Sequence, residues 1–126
     1  MYQINPMSRE PVYEQIINQT ERFILTGVLS AGDRMPSVRN LSVELSVNPN
    51  TIQKAFSELD RRGLIFSVPG RGSFVSEKAR EALLVSRRDN IPQIRKKLNE
   101  LKLAGIRKEE VIEIVNEVYD GEDRRK

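Results

Sequence analysis

Between residues 48 and 62, Asn50, Lys54, Ser57 and Arg61 recur at spacings of four, three and four, with Thr51 and Gln53 beside them. At about 100° per residue, the first four share one side of a helix and the other two lie on its flanks. Ile52, Ala55, Phe56 and Leu59 take the opposite side. Amides, hydroxyls and cations with no carboxylate among them match the hydrogen-bonding edges of base pairs in a major groove. Asn and Gln can pair bidentately with adenine, Lys can meet guanine or a phosphate, and the Thr methyl can pack on thymine. A merely solvated helix face could carry the same residues, so the neighbouring elements must decide between the two.

Two further groups point to phosphate. Ser37 and Arg39 open the preceding helical pattern, and a helix N-terminus offers free N–H groups and partial positive charge. A plain N-cap with a surface arginine fits them equally, and Arg34 could equally be a structural residue bonding its turn. Gly70-Arg71-Gly72 forms the tip of a hairpin pattern. Small residues there let the backbone approach a phosphate while Arg71 enters the minor groove or pairs with the backbone. An ordinary hairpin would also use those glycines, for positive φ. No GxxxxGK[ST] or GxGxxG spacing marks a nucleotide loop. From 34 to 76, Arg34, Arg39, Lys54, Arg61, Arg62 and Arg71 stand against Glu44, Glu58 and Asp60, a local excess of +3.

The elements that must position these residues have clear signals. Pro11 fits the first turn of a helix, and Val12, Tyr13, Ile16, Ile17, Thr20, Phe23 and Ile24 form its apolar stripe up to a stop at Gly27. After a turn at 30–33, Pro36-Ser37 opens a second helix with Ser37 as N-cap and Val38, Leu41 and Leu45 facing the core. Asn48 is the expected N-cap of a third helix, with Pro49 at its first position. Val47 and Ile52 occupy the two ends of a hydrophobic staple. Gly63 ends that helix. Leu64–Val68 and Ser73–Ser76 read as strands joined by Pro69-Gly70-Arg71-Gly72. Two short helices a few residues apart, followed at once by a hairpin, are the layout of a winged helix-turn-helix, which reads duplex DNA.

Composition narrows the alternatives. The 126 residues suit one ordinary domain or two small ones. There is no His, Cys or Trp, so the usual zinc and copper ligand sets and Cys or His catalysis are missing. Carboxylates could still hold Mg or Ca, but no loop has EF-hand spacing. We expect no cofactor, no metal and no enzymatic activity. The lack of Cys fits a reducing compartment. Residues 1–10 do not resemble a signal peptide, and no apolar run approaches the ~18 residues of a membrane span, so a cytoplasmic location is expected. The net charge of +3 is only mildly basic.

Beyond Ser76 the composition shifts. Residues 77–104 are helix-prone with one interruption at Asn90-Ile91-Pro92, and Ile94, Leu98 and Leu101 repeat at helical spacing. After Gly105, a last helix over 107–119 carries Val111, Ile112, Val115, Val118 and Tyr119, and GEDRRK reads as a frayed tail. Two such helices enclose no ligand-sized interior. Their apolar faces need the winged domain or a second copy. The expected architecture is therefore mainly α with a small β-hairpin: a winged helix-turn-helix over 1–76 and a two-helix dimerisation segment over 77–126.

PVYEQI, then G-x-L-x-x-G-D-R-M-P-S-V-R, then V-N-P-N-T-I-Q-K-A-F-x-E-L, then PGRGSFV occur in order over residues 2–76. This series resembles the GntR family of bacterial transcription regulators, and the short remainder is similar to its small YtrA-type branch. The resemblance implies a homodimer that binds palindromic double-stranded DNA, usually as a repressor. It implies DNA contact by Arg39, base contact by Asn48, Asn50, Thr51 and Gln53, and a wing contact at Gly70. The fatty-acid-responsive branch carries arginines where this chain has Pro49 and Gln53, so guanine contacts at those two positions do not transfer. The branch also implies control of membrane-transporter operons. An effector, if one exists, would act at the dimer interface or between the two parts. A winged helix used for protein contacts is the alternative, and acidic or apolar residues on the exposed face of the third helix, the one carrying Asn50, Lys54, Ser57 and Arg61, would mark it; that face shows neither.

Overall fold

A computed structural model describes residues 1–121, so all of the GEDRRK tail except Gly121 lies outside the described residues. The order is α1 (Val12–Thr26), α2 (Val38–Leu45), α3 (Pro49–Arg61), β1 (Ile65–Val68), β2 (Gly72–Val75), α4 (Ala79–Arg88), α5 (Ile91–Leu103) and α6 (Lys108–Asp120). The chain divides into two compact units, Met1–Ser86 and Arg87–Lys126.

In the first unit, α3 packs on α1 and α2, and the hairpin follows α3 directly. The apolar stripes meet in one core that includes Ile16, Ile17, Leu41, Ile52, Leu59 and Val75. Gly27 ends α1 in the left-handed region at φ 84°, a conformation that costs glycine little. Strand β1 pairs antiparallel with β2, Ile65 opposite Val75 and Val68 opposite Gly72. Strand β1 starts one residue later than expected, and β2 sits one residue earlier than its expected range. Leu64 instead closes the end of α3, its N–H donating to the Leu59 carbonyl at 3.0 Å. Arg34 adds a single antiparallel bridge to Phe74, giving the hairpin a short third edge.

The first unit runs past the change in composition at Ser76. Ala79 and Leu83 of α4 are buried in its core, and Arg80 donates to the Leu25 carbonyl near the end of α1. The residues before α1 are also fastened. Tyr2 is buried with its hydroxyl 2.6 Å from Thr20 Oγ1, and Gln15 Nε2 donates to the carbonyls of Asn5 and Glu10.

The second unit contains α5 and α6, separated by Gly105 at φ 86°. Neither helix has a buried residue. Ile94, Leu98, Leu101, Ile112, Val115 and Val118 are all exposed.

Candidate nucleic-acid interface

The turn between α2 and α3 is locked by its own backbone and by Ser42. Val47 N–H donates to the Ser42 carbonyl at 3.0 Å, and Ser42 Oγ donates back to the Val47 carbonyl at 2.5 Å. Ser46 takes the left-handed region at φ 55° to make this closure, which for a non-glycine residue costs about 1 kcal/mol or more. Both helix starts are capped as their residues require. Ser37 Oγ accepts the Asn40 N–H at 3.0 Å. Asn48 Oδ1 accepts the Asn50 N–H at 2.8 Å, and Pro49 brings no N–H that would need a partner. Ser37 and Asn48 thus spend their side-chain oxygens on capping. Arg39 remains exposed in the first turn of α2, with no side-chain partner among the described residues.

Along α3 the outward residues divide into two sets. In the first turns, Asn50 is exposed and its side chain has no partner among the described residues, while Thr51 is half-buried. Gln53 is exposed and, among the described residues, its side chain makes only a long bond, Nε2 to Ser57 Oγ at 3.3 Å. Further along, the cations are engaged by neighbouring side chains. The Lys54 ammonium lies 3.9 Å from the centre of the Tyr13 ring on α1, an attraction worth about 0.5–1 kcal/mol at an exposed site. Arg61 grips Glu58 through Nε at 2.8 Å and Nη2 at 2.5 Å. Arg62 joins Glu58 at 2.7 Å and reaches Glu21 on α1 at 2.8 Å. Tyr13, Lys54, Ser57, Glu58 and Arg61 line an open groove of about 830 Å³. The carboxylate of Glu58 in that groove is already engaged by cations.

Hydrogen bonds from Arg61, and then from Arg62, hold the Glu58 carboxyl well below the usual carboxylate range, down to about 2. A depressed acid contributes stability that is complete above its ordinary value near 4.5 and fades as pH falls toward about 2. A carboxyl-carbon NMR titration should therefore give Glu58 a midpoint near 2. A midpoint near its ordinary value would mean that the two arginines do not hold it.

At the wing, Arg71 N–H donates to the Val68 carbonyl at 2.9 Å, closing a four-residue turn. Pro69 and Gly70 fill its centre, with Gly70 at φ 76°, as a type II turn requires. Arg71 is exposed, without a side-chain partner among the described residues. Gly72 follows at φ 116° and pairs with Val68.

Sequence reasoning missed the ties between α1 and α3: Tyr13 to Lys54 and Glu21 to Arg62. Glu21 did carry a signal. It lies four residues after Ile17 and three before Ile24, so an acid falls on the buried side of α1, where it needs a cation. Tyr13 carried none, because a ring in an apolar stripe reads as core.

Residues 12–75 match the family described as bacterial regulatory proteins, gntR family. The HTH-type transcriptional repressor YtrA of Bacillus subtilis (strain 168) is 39% identical over 119 residues, covering 94% of this chain and 92% of that protein. A GntR family transcriptional regulator from Listeria monocytogenes superposes with a TM-score of 0.70 at 34% identity, covering 87% of this chain and 96% of the other. The AraR DBD, solved in complex with operator ORX1, superposes with a TM-score of 0.53 at 30% identity over 59% of this chain and 92% of its own. No helix among the described residues is long and apolar enough to cross a membrane. The ordered motifs, the winged helix-turn-helix and the family match over more than half of its length agree: this chain belongs to the gntR family of bacterial regulatory proteins.

Proposed function

We propose that this protein is a cytoplasmic transcriptional repressor that binds a palindromic operator as a homodimer. The observation that carries the DNA reading is the open N-terminal part of α3: Asn50 and Gln53 are exposed and little engaged internally, and Arg39 on α2 and Arg71 on the wing have no side-chain partner among the described residues. Base contacts fall to Asn50, Thr51 and Gln53. Backbone contacts fall to Arg39, Arg71 and the free N–H groups at the start of α2, with Gly70 and Gly72 leaving the wing tip bare. Lys54 reads a guanine only by leaving Tyr13, a modest cost beside a good bidentate pair of about 1–3 kcal/mol.

The dimer reading is supported by the second unit. Its apolar residues are exposed, and its charges are sorted by helix. Arg95, Lys96, Lys97 and Lys102 outweigh Glu100 on α5, while Glu109, Glu110, Glu113, Glu117 and Asp120 outweigh Lys108 on α6. Lys97 pairs with Glu100 inside α5, and the α6 acids have no ion-pair partner among the described residues. A second copy offers both an apolar face and the opposite charge.

Selection from a random DNA library tests the proposal. The expected product is an inverted repeat with a short or absent spacer, half-site centres at or below about 10 bp apart, and adenine or thymine at the positions read by Asn50, Thr51 and Gln53. Gln53→Ala should relax preference at particular positions by about 1–3 kcal/mol per pair. Arg39→Ala should weaken all sequences evenly and lower the salt dependence. A direct repeat, or a single half-site bound at full affinity, would contradict the symmetric dimer.

A further inference from the structure

One face of the wing carries a cation that the contacts above leave unused. Arg34 bridges Phe74 in antiparallel register. The backbone on either side confirms the alignment: Met35 N–H donates to the Ser73 carbonyl and Val75 N–H to the Asp33 carbonyl, both at 2.8 Å. Ile65 and Val75 are buried in the core. Side chains alternate along a strand, so Phe66, Phe74 and Arg34 occupy the opposite face, where the two phenyl rings stack at 5.9 Å. The diagonal neighbour of Arg34, one step nearer the tip, is Gly72.

The Arg34 guanidinium lies along that diagonal. A Cβ added to Gly72 would stand 3.2 Å from Arg34 Nε and 3.4 Å from Nη2, tighter than ordinary van der Waals contact. The missing side chain at position 72 is therefore the space in which the guanidinium rests. Arg34 is exposed and has no hydrogen bond or ion pair with any described residue. A charged group laid on a bare glycine, pointing toward the tip and answered by no carboxylate among the described residues, is placed for an anion from outside.

We propose that Arg34 is a second phosphate-binding cation of the wing, carried across Gly72 toward the same end of the hairpin as Arg71. This rests on the DNA-binding reading and adds a contact to it. Gly72 then has two roles: its positive φ allows the turn, and its lack of a Cβ admits Arg34.

The test uses the full chain and a fluorescein-labelled duplex of mixed sequence, about 30 bp long, titrated between about 50 and 200 mM salt. Arg34→Ala should reduce the slope of log affinity against log salt by about 0.9 and weaken binding about tenfold at the low-salt end. Arg34→Gln keeps the stem and removes the charge; it should do the same with an unchanged melting temperature. Arg34→Lys should keep the slope. Gly72→Ala should weaken the parent chain more than it weakens Arg34→Ala, because the strain of alanine at positive φ is common to both backgrounds and cancels. An unchanged slope in Arg34→Gln overturns the proposal, whether or not stability falls. A parent chain that bound the duplex with no salt dependence would instead remove the DNA reading itself.

Discussion

Ending the chain at Arg88 is expected to leave a folded monomer that binds the operator about 10²- to 10⁴-fold more weakly, the span over which joining two sites raises avidity. The first unit closes its own core, with Ala79 and Leu83 of α4 inside it, so the shortened chain retains every buried side chain. What it loses is α5 and α6, whose apolar residues are all partly or fully exposed. Light scattering and operator titration check both halves of the expectation. A shortened chain that remained dimeric, or bound as tightly as the parent, would place the dimer contact elsewhere. Cutting at Ser76 instead should fail differently. It removes Ala79, Leu83 and the bond from Arg80 to the Leu25 carbonyl, and losing one buried leucine side chain alone costs about 2–5 kcal/mol.

The second large effect is expected from Ile52→Ala. Ile52 is fully buried in the core, against which Val47, its expected staple partner, also packs. Removing three carbons there should cost about 2–5 kcal/mol, against a total stability of about 5–15 kcal/mol for an ordinary domain. The same change frees the start of α3, so DNA binding should weaken beyond what the folded fraction accounts for. Urea unfolding followed by circular dichroism measures the first effect, and titration under conditions where the variant is fully folded measures the second. Ile52→Val, which removes one methyl, should cost about 0.5–1.5 kcal/mol. Equal stabilities for the parent and Ile52→Ala would mean that the staple does not hold α3.

Much of this was legible because the governing forces are local in sequence. The caps at Ser37 and Asn48 and the stop at Gly27 act within a few residues of where they are read. The stripe of α3 follows from helical spacing alone, and so does the exposure of Asn50 opposite Ile52, with Gln53 on the flank. What stayed hidden depends on residues far apart in the chain. Arg62 meets Glu21 across 41 positions, and Lys54 bends to Tyr13 on another helix. The wheel put Lys54 outward, yet a long flexible side chain on the flank nearest α1 can swing to a ring there. The place of α4 was hidden for the same reason. Ala79 and Leu83 are too few to signal which body they join, and only the assembled core decides.

The α3 helix keeps its two sets of residues almost without overlap. Ile52, Ala55, Phe56 and Leu59 are buried, whereas Asn50 and Gln53 are exposed, as is Arg39 on α2, and these bear little of the fold. Exposed substitutions away from caps and cores usually shift stability by no more than about 0.5 kcal/mol. The residues proposed to read DNA can therefore change at little cost to the scaffold. A chain built this way is evolvable: after duplication, its copies can drift to new operators through a few point changes, each passing through a folded intermediate. Asn48 is the exception, since its side chain both caps α3 and lies beside the readers. Such a position should accept Ser, Thr or Asp, which also cap, far more readily than an apolar residue.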